Sequence, residues 1–169
     1  NLWTYYAGPS ETNTLLVDPI VIDVATTVSA PASAVAGSTV QGAFSFGNNG
    51  NSTALGVTYG MTLTPGLGTV TFGNLPGGVT ATYNNATGAV TFTGHPTSLT
   101  PGQVISGMTF SYTAPASGPV VATTTIGTSS TDTYLANNTA TVSTGIGAVD
   151  VLTAVSVAAT ATTGSTVSG

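Results

Sequence analysis

The 169-residue chain contains no lysine, arginine or cysteine, and it has only five acidic residues and one histidine. Without cations it cannot neutralise phosphates, which excludes nucleic acid as a partner. The missing lysine excludes Schiff-base chemistry, and the missing arginine removes the usual clamp for carboxylates and phosphates. The missing cysteine excludes disulfides, thiolate metal sites and thiol nucleophiles. Most ways of building an active site are therefore closed to this sequence.

Long apolar runs and helical periodicity are missing too. No apolar segment approaches the ~18 residues that a membrane span requires, and no stretch repeats with a period of 3.6 residues. The chain begins with Asn1 and shows no signal peptide. We therefore expect a processed or excerpted, exported chain with no membrane span.

Threonine, valine and glycine dominate what is present, and turn residues interrupt the sequence every 8 to 12 positions. This pattern predicts an all-β sandwich or barrel of about eight or nine strands. The predicted strands are residues 20–30, 39–46, 54–63, 69–72, 79–83, 89–93, 104–113, 119–126 and 138–143, with a hairpin turn at 84–88.

The sequence also repeats itself. Residues 150–169 align without a gap on residues 23–42, with 12 of 20 positions identical. Such a match indicates a tandem array of domains. We predict one complete repeat at 20–147, and at 148–169 either the first strands of the next repeat or a segment donated to a neighbouring subunit. Residues 1–19 are a special extension or the last strand of a preceding repeat.

An ordered series of short motifs carries a family resemblance. It comprises AGSTV at 36–40, NNGNSTA at 48–54, VT at 57–58, GVT at 78–80, LTPGQ at 99–103 and ANNTATV at 136–142. The chain resembles the bacterial Ig-like conserved repeats found in tandem in large secreted or cell-wall proteins, including adhesins. The resemblance implies an Ig-like antiparallel β-sandwich on the bacterial cell surface, without catalytic residues. The chain departs from many relatives in lacking basic residues, and in reading GNNGNS at 47–52 where a proline often stands.

Candidate assembly residues lie where repeats would meet. Residues 18–24 and 147–157 are the predicted junction segments, and aromatic side chains near the N-terminus are candidate interface anchors. The candidates are Trp3, Tyr5, Tyr6, Asp23, Val149, Asp150, Val151, Val155 and Val157.

The acidic residues and the histidine give weak signals. We predict no cofactor; the alternative is a calcium ion held at a junction by Asp18, Asp23 and Asp132, although three carboxylates so far apart in sequence more often are solvated charges. His95 lies in a predicted turn and is interpreted as an exposed loop residue. No nucleophile motif accompanies it, so we expect no enzyme.

Hydroxyl and amide side chains leave two further hypotheses. Thr-x-Thr pairs place both hydroxyls on one face of a strand, where they fill an outer surface or bind a glycan or ice. The pairs are Thr62/Thr64, Thr69/Thr71, Thr80/Thr82, Thr91/Thr93 and Thr123/Thr125. Asn51, Asn85 and Asn137 are candidate N-glycosylation acceptors.

The sequence thus predicts a structural or adhesive extracellular protein that forms a filament, sheath or stalk. Its main partner is itself, as neighbouring repeats or subunits, with glycans or host and abiotic surfaces as further partners. The alternative is a glycan- or ice-binding module of a large surface adhesin.

Overall fold

A computed structural model describes residues 18–147, and every structural statement below concerns that range. The range folds into twelve strands and one short 3-10 helix, Leu135–Asn137. The strands are β1 (Val24–Ser29), β2 (Ser33–Val35), β3 (Thr39–Asn48), β4 (Ala54–Leu55), β5 (Thr58–Leu63), β6 (Val70–Gly73), β7 (Thr80–Tyr83), β8 (Ala89–Thr93), β9 (Ser98–Leu99), β10 (Val104–Thr113), β11 (Val120–Gly127) and β12 (Thr139–Gly147).

The strands form a two-layer sandwich. One sheet has the order β1-β3-β10-β6, the other has the order β2-β12-β11-β5-β8-β7, and β4 pairs with β9 in a small separate ladder. The strand pairs are antiparallel except for β2 with β12. The predicted all-β sandwich is therefore confirmed.

The core lies between the two sheets because alternate residues of each strand point inward. In β3, Val40, Phe44 and Phe46 are buried while the residues between them are more exposed. Met108 and Phe110 of β10 complete this layer. Aliphatic residues of the six-stranded sheet face them, among them Met61, Leu63, Val90, Ala122 and Ile126. This alternation is the period-2 pattern that the sequence displays.

The N-terminal strand changes sheets at a proline. Strand β1 pairs with β3, and after Pro31 the chain continues as β2 beside β12 in the other sheet. Proline cannot donate to a ladder, so it suits the point where the chain leaves one sheet. Two bonds fix the crossing: Thr144 Oγ1 donates to the Pro31 carbonyl at 2.7 Å, and the Gly145 amide donates to that of Ala32 at 2.9 Å.

Two predicted strands are less regular than their sequences indicate. The predicted strand 54–63 is split by Gly56, whose φ of +58° interrupts the ladder. In β10 the register slips between Ile105 and Met108, with Gly107 at φ +75°. This bulge explains why apolar alternation is poor along the strand. Strands β2 and β9 were not predicted, because two or three residues carry too short a pattern.

Candidate functional site

The first and last described residues lie at different ends of the sandwich. Residues 18–23 approach β1 beside the C-terminal end of β3, since Val24 pairs with Asn48. Strand β12 starts beside Thr125, near the same end, and runs to Gly147 at the opposite end, beside Val35. We call these the leading end and the trailing end. The described chain therefore enters at one end and leaves at the other.

The leading segment, residues 18–23, is tied to the domain rather than free of it. Asn51 accepts a bond from the Val21 amide at 2.8 Å and donates to the Pro19 carbonyl at 3.0 Å. The Ser52 amide donates to the Val21 carbonyl at 3.1 Å. On the other side, the Thr133 amide and hydroxyl donate to the Ile22 carbonyl at 2.8 and 2.9 Å. The approach to β1 is thus fixed from two sides.

Asn48 and Gly50 explain how the loop after β3 can hold that segment. Asn48 is fully buried, and its side chain accepts from the Gly50 amide at 3.0 Å and donates to the Ser52 and Leu99 carbonyls at 2.8 and 3.0 Å. A Cβ on Gly50 would lie 2.3 Å from the Val21 carbonyl oxygen. Glycine is therefore required there for the leading segment to pass so close.

Two of the three aspartates of the leading end, Asp23 and Asp132, act as hydrogen-bond acceptors. Asp23 accepts from Asn137 Nδ2 at 2.7 Å. Asp132 accepts from the Val24 amide at 3.2 Å, from the Tyr134 amide at 2.9 Å and from Asn138 Nδ2 at 3.0 Å. Within residues 18–147 no group of three acidic or histidine side chains converges on one point. The carboxylates of Asp23 and Asp132 therefore stabilise the fold at this end.

Several exposed apolar side chains lie at the ends of the sandwich, whereas Val121, 37% exposed, lies on the outer face of β11. Four occupy loops and short elements of the leading end: Ile20, Leu55, Tyr134 and Leu135, which are 77%, 56%, 58% and 71% exposed. Leu55 reaches this surface because its carbonyl accepts bonds from Thr128 and Ser129 of the loop after β11. Val35 is exposed at the trailing end, where it pairs with Gly147. These side chains are available for contact with another surface.

The outer face of the six-stranded sheet carries hydroxyls instead. The pairs Thr80/Thr82, Thr91/Thr93 and Thr123/Thr125 lie on it, as the alternation predicts. The sheet adds Thr58, Thr62, Thr139 and Thr141 to form what we call the threonine face. Of the other two predicted pairs, only Thr62 joins it. Thr69/Thr71 lies at β6 of the other sheet, and Thr64 follows the end of β5, where its hydroxyl accepts from the Val121 amide at 2.8 Å.

Neighbouring hydroxyls on this face bond to one another. Thr80 and Thr93 are 2.7 Å apart, and Thr123 and Thr141 are 3.0 Å apart. Sequence alone could not assemble the face, because strands distant in the chain lie side by side in it.

His95 is not the exposed loop residue that the sequence indicates. Its ring stacks on Tyr59 with centroids 4.4 Å apart, and it meets Phe92 and Phe46 edge-on at 5.3 and 5.8 Å. Both ring nitrogens are buried without a partner in the described structure, and burial lowers the His95 pKa. Burial also raises the pKa of Tyr59 to about 12, and its hydroxyl donates to the Pro96 carbonyl. His95 is therefore a packing residue, with no nucleophile or acid shown in contact with it.

The predicted glycosylation acceptors differ in accessibility. Asn85 is exposed in the β7–β8 turn, with its Oδ1 accepting from the Gly68 amide at 2.7 Å. Asn51 is exposed but uses both side-chain polar atoms to hold the leading segment. Asn137 is partly buried and bonded to Asp23. Modification remains a prediction, and Asn85 is the acceptor whose geometry favours it most.

The remaining assembly candidates cannot be placed. Trp3, Tyr5, Tyr6, Val149, Asp150, Val151, Val155 and Val157 lie outside the described residues, as does most of both predicted flanking segments. Among the assembly candidates only Asp23 is located, and it lies at the leading end. No helix in the described range is long and apolar enough to cross a membrane.

Comparison with known proteins supports the fold. No family model and no curated protein matches the chain. The crystal structure of the CARDB domain of the PF1109 protein from Pyrococcus furiosus, in complex with di-metal ions, matches with a TM-score of 0.53 and 12% identity, over 79% of this chain and 100% of that one. That likeness confirms an Ig-like β-sandwich.

Two further solved structures are similar at lower scores. The bacterial hydrophobin BslA matches with a TM-score of 0.46 and 17% identity, over 79% of this chain and 100% of that one. AvmM, which catalyses macrocyclization in alchivemycin A biosynthesis, matches with a TM-score of 0.43 and 8% identity, over 82% of this chain and 94% of that one. Neither bears on what this chain does.

Proposed function

We propose that this chain is a structural, adhesive unit of an extracellular surface protein, in which Ig-like sandwiches follow one another in a filament or stalk. The observation that carries the proposal is the polarity of the domain. The chain approaches at the leading end and departs at the trailing end, so successive repeats extend along a line. The internal repeat 127 residues apart supplies the next unit. Likeness to a CARDB domain supports an adhesion-related role.

The form of the joint distinguishes tandem repeats from donated strands. By alignment, residues 151–156 and 160–162 correspond to β1 and β2 of this domain. The places for those strands, beside β3 and beside β12, are already filled by residues 24–29 and 33–35 of the same chain. A donated copy would have to displace them or join another sheet edge. Completeness of the sandwich therefore favours tandem repeats over strand complementation.

Composition supports an extracellular location and a mechanical role. A surface without lysine or arginine, at pI ≈ 4.1, has no attraction for nucleic acid. The described residues have no catalytic grouping around the single histidine. What remains is a stable sandwich that presents hydroxyls sideways and apolar groups at its ends. The partners that fit are other copies of itself, on a bacterial surface.

The mass of the native protein after full denaturation tests this proposal, together with electron microscopy of the undenatured material. A tandem array gives a chain much heavier than 16.4 kDa and thin filaments. Filaments built from a 16.4 kDa chain would replace tandem repeats with non-covalent assembly. A 16.4 kDa chain that forms no filaments at any concentration would remove the proposal.

The threonine face supports a second candidate, a binding face for a glycan or for ice. Its hydroxyls lie on adjacent strands about 4.8 Å apart, which gives an ordered polar surface without charge. Replacing Thr91 and Thr123 with lysine should abolish such binding and leave the fold intact, since both lie on the outer face. The same change at Thr71 and Ser111 of the other sheet is the matched control. A protein that neither inhibits ice recrystallisation nor binds immobilised polysaccharides would exclude this candidate.

A further inference from the structure

We infer that successive repeats are joined without a single free linker residue, so that the leading end of one repeat docks against the trailing end of the one before it. This inference rests on the proposed tandem array and specifies its joint. It follows from aligning residues 147–169 with residues 20–42, whose hydrogen bonds the described domain shows. Because the offset is 127 residues, Gly147 corresponds to Ile20, and residues 148–150 correspond to Val21, Ile22 and Asp23.

On the trailing side of the joint, strand β12 is bonded to its own domain as far as the last described residue, Gly147. Gly147 pairs with Val35 of β2, and its carbonyl accepts from the Ala36 amide at 3.0 Å. Its neighbour Gly145 is held by the Ala32 carbonyl at 2.9 Å. Strand β12 therefore belongs to this domain throughout its length.

The leading side starts at the next residue. In the described domain, residues 21–23 are fixed through their backbone. The Val21 amide donates a hydrogen bond, and the carbonyls of Val21, Ile22 and Asp23 accept one or more. Backbone bonds survive a change of side chain, so Ala148 and Val149 can take the places of Val21 and Ile22. Asp150 repeats Asp23 itself, whose carboxylate holds Asn137. Residues 148–150 are thus accounted for by the following repeat.

Chain geometry then limits the gap between the domains. Residue 151 corresponds to Val24, the first residue of β1. Four residue steps separate it from Gly147, and four extended residues span at most about 14 Å. The following sandwich must therefore begin within about 14 Å of the end of β12, so the two ends face each other across a short connection.

The surfaces that would meet are the ones that carry exposed apolar groups. At this joint the leading end of the following repeat presents Leu55, Tyr134 and Leu135, since Gly147 takes the place of Ile20, and the trailing end presents Val35. Burying such groups is favourable, whereas the threonine face gains little by leaving water. The occupant of the leading end is accordingly the trailing end of another copy of this domain.

A tandem protein tests the joint directly. It consists of residues 18–150 followed by residues 24–147, so that both copies keep the natural junction; the described sandwich has its own core and two complete sheets, which lets each copy fold. The matched control carries ten Gly/Ser residues inserted between Gly147 and Ala148. NMR relaxation should show the two copies of the first protein tumbling as one body and those of the control tumbling separately. Separate tumbling in both proteins would overturn the inference.

Identical substitutions in the two copies locate the contact. Tyr134→Ser with Leu135→Ser in the second copy removes apolar groups from the joint, and we expect the Tm to fall by about 2–4 °C. The same pair in the first copy changes a free leading end and should leave the Tm unaltered. Equal effects in the two copies would refute docking through this surface. If docking is refuted, the proposed tandem array still stands as a flexible one, because the native mass and the filaments test the array separately.

Discussion

Replacing Asn48 tests whether one buried amide organises the leading end. Asn48 is fully buried at the end of β3, and its side chain holds the Gly50 amide and the carbonyls of Ser52 and Leu99. It also lies 3.4 Å from the Asp23 amide. In Asn48→Ala these backbone groups lose their partner, and the loop that holds residues 21–23 loses its support.

The expected cost follows from counting the buried groups left without a partner. Gly50 and Leu99 are both buried, so their amide and carbonyl cannot turn to bulk water. A buried polar group left unpaired costs about 1–3 kcal/mol, and partial relaxation lowers the sum for two groups to about 2–4 kcal/mol. That is a large part of the ~5–15 kcal/mol that stabilises a typical domain.

Urea unfolding monitored by far-UV circular dichroism measures this loss as a change in the free energy of unfolding. Asn49→Ala is the matched control: Asn49 is the exposed neighbour and contributes its backbone amide to the Asp23 carbonyl, so its loss should stay within about 0.5 kcal/mol. Asn48→Asp should cost at least as much as alanine at pH 7, because a carboxylate would face two carbonyl oxygens. A loss below about 1 kcal/mol in Asn48→Ala would refute the reasoning.

Three other predictions concern the core. Burial lowers the His95 pKa below the usual ~6.5, so the unfolded chain takes up the proton first as pH falls. The free energy of unfolding should therefore decline from about pH 6.5 downward, by at most about 1.4 kcal/mol per pH unit, in denaturation curves measured above pH 5. His95→Phe should abolish that slope. The buried hydroxyls of Thr26 and Thr124 lie 2.8 Å apart, so Thr26→Val, which orphans Thr124, should lower the free energy of unfolding more than the double valine variant does. Gly42→Ala would place a Cβ 2.2 Å from the Phe110 ring, and thermal unfolding should show a loss of about 1–3 kcal/mol, whereas an unchanged Tm would mean that the ring moves freely.

Local pattern was enough for the regular strands. Residues 89–93 and 104–113 begin and end as predicted, and the turn between β7 and β8 closes with Gly88 at φ +77°. The strand predicted at 20–30 is shorter, because residues 20–23 bond to loops instead of a ladder partner. The strand predicted at 138–143 is longer, since β2 pairs with its C-terminal residues. Both errors arise where a distant segment decides the pairing.

The leading end could be predicted only in outline. The repeat pointed to residues 18–24 as a junction, and the acid at Asp23 marked it in both copies. Nothing local indicates that Asn48, Asn51 and Thr133 converge on that segment, because residues 25 to 111 positions apart form the bonds. The prediction for His95 was wrong for a related reason. The turn residues around it indicate an exposed position, but Tyr59 and Phe46, from two different sheets, cover its ring.

The absence of basic residues and the apolar groups at the leading end fit one physical explanation. A chain without lysine or arginine cannot use ion pairs to fix the orientation of its neighbours. In the proposed array, orientation then comes from the short covalent connection and from apolar burial, neither of which depends on ion pairs. The leading end fits this account, with residues 21–23 held through their backbone and with Tyr134 and Leu135 exposed beside them. In the proposed array, the many hydroxyls on the outer face of the six-stranded sheet stay hydrated, which favours contact at the ends of the sandwich over contact along its sides.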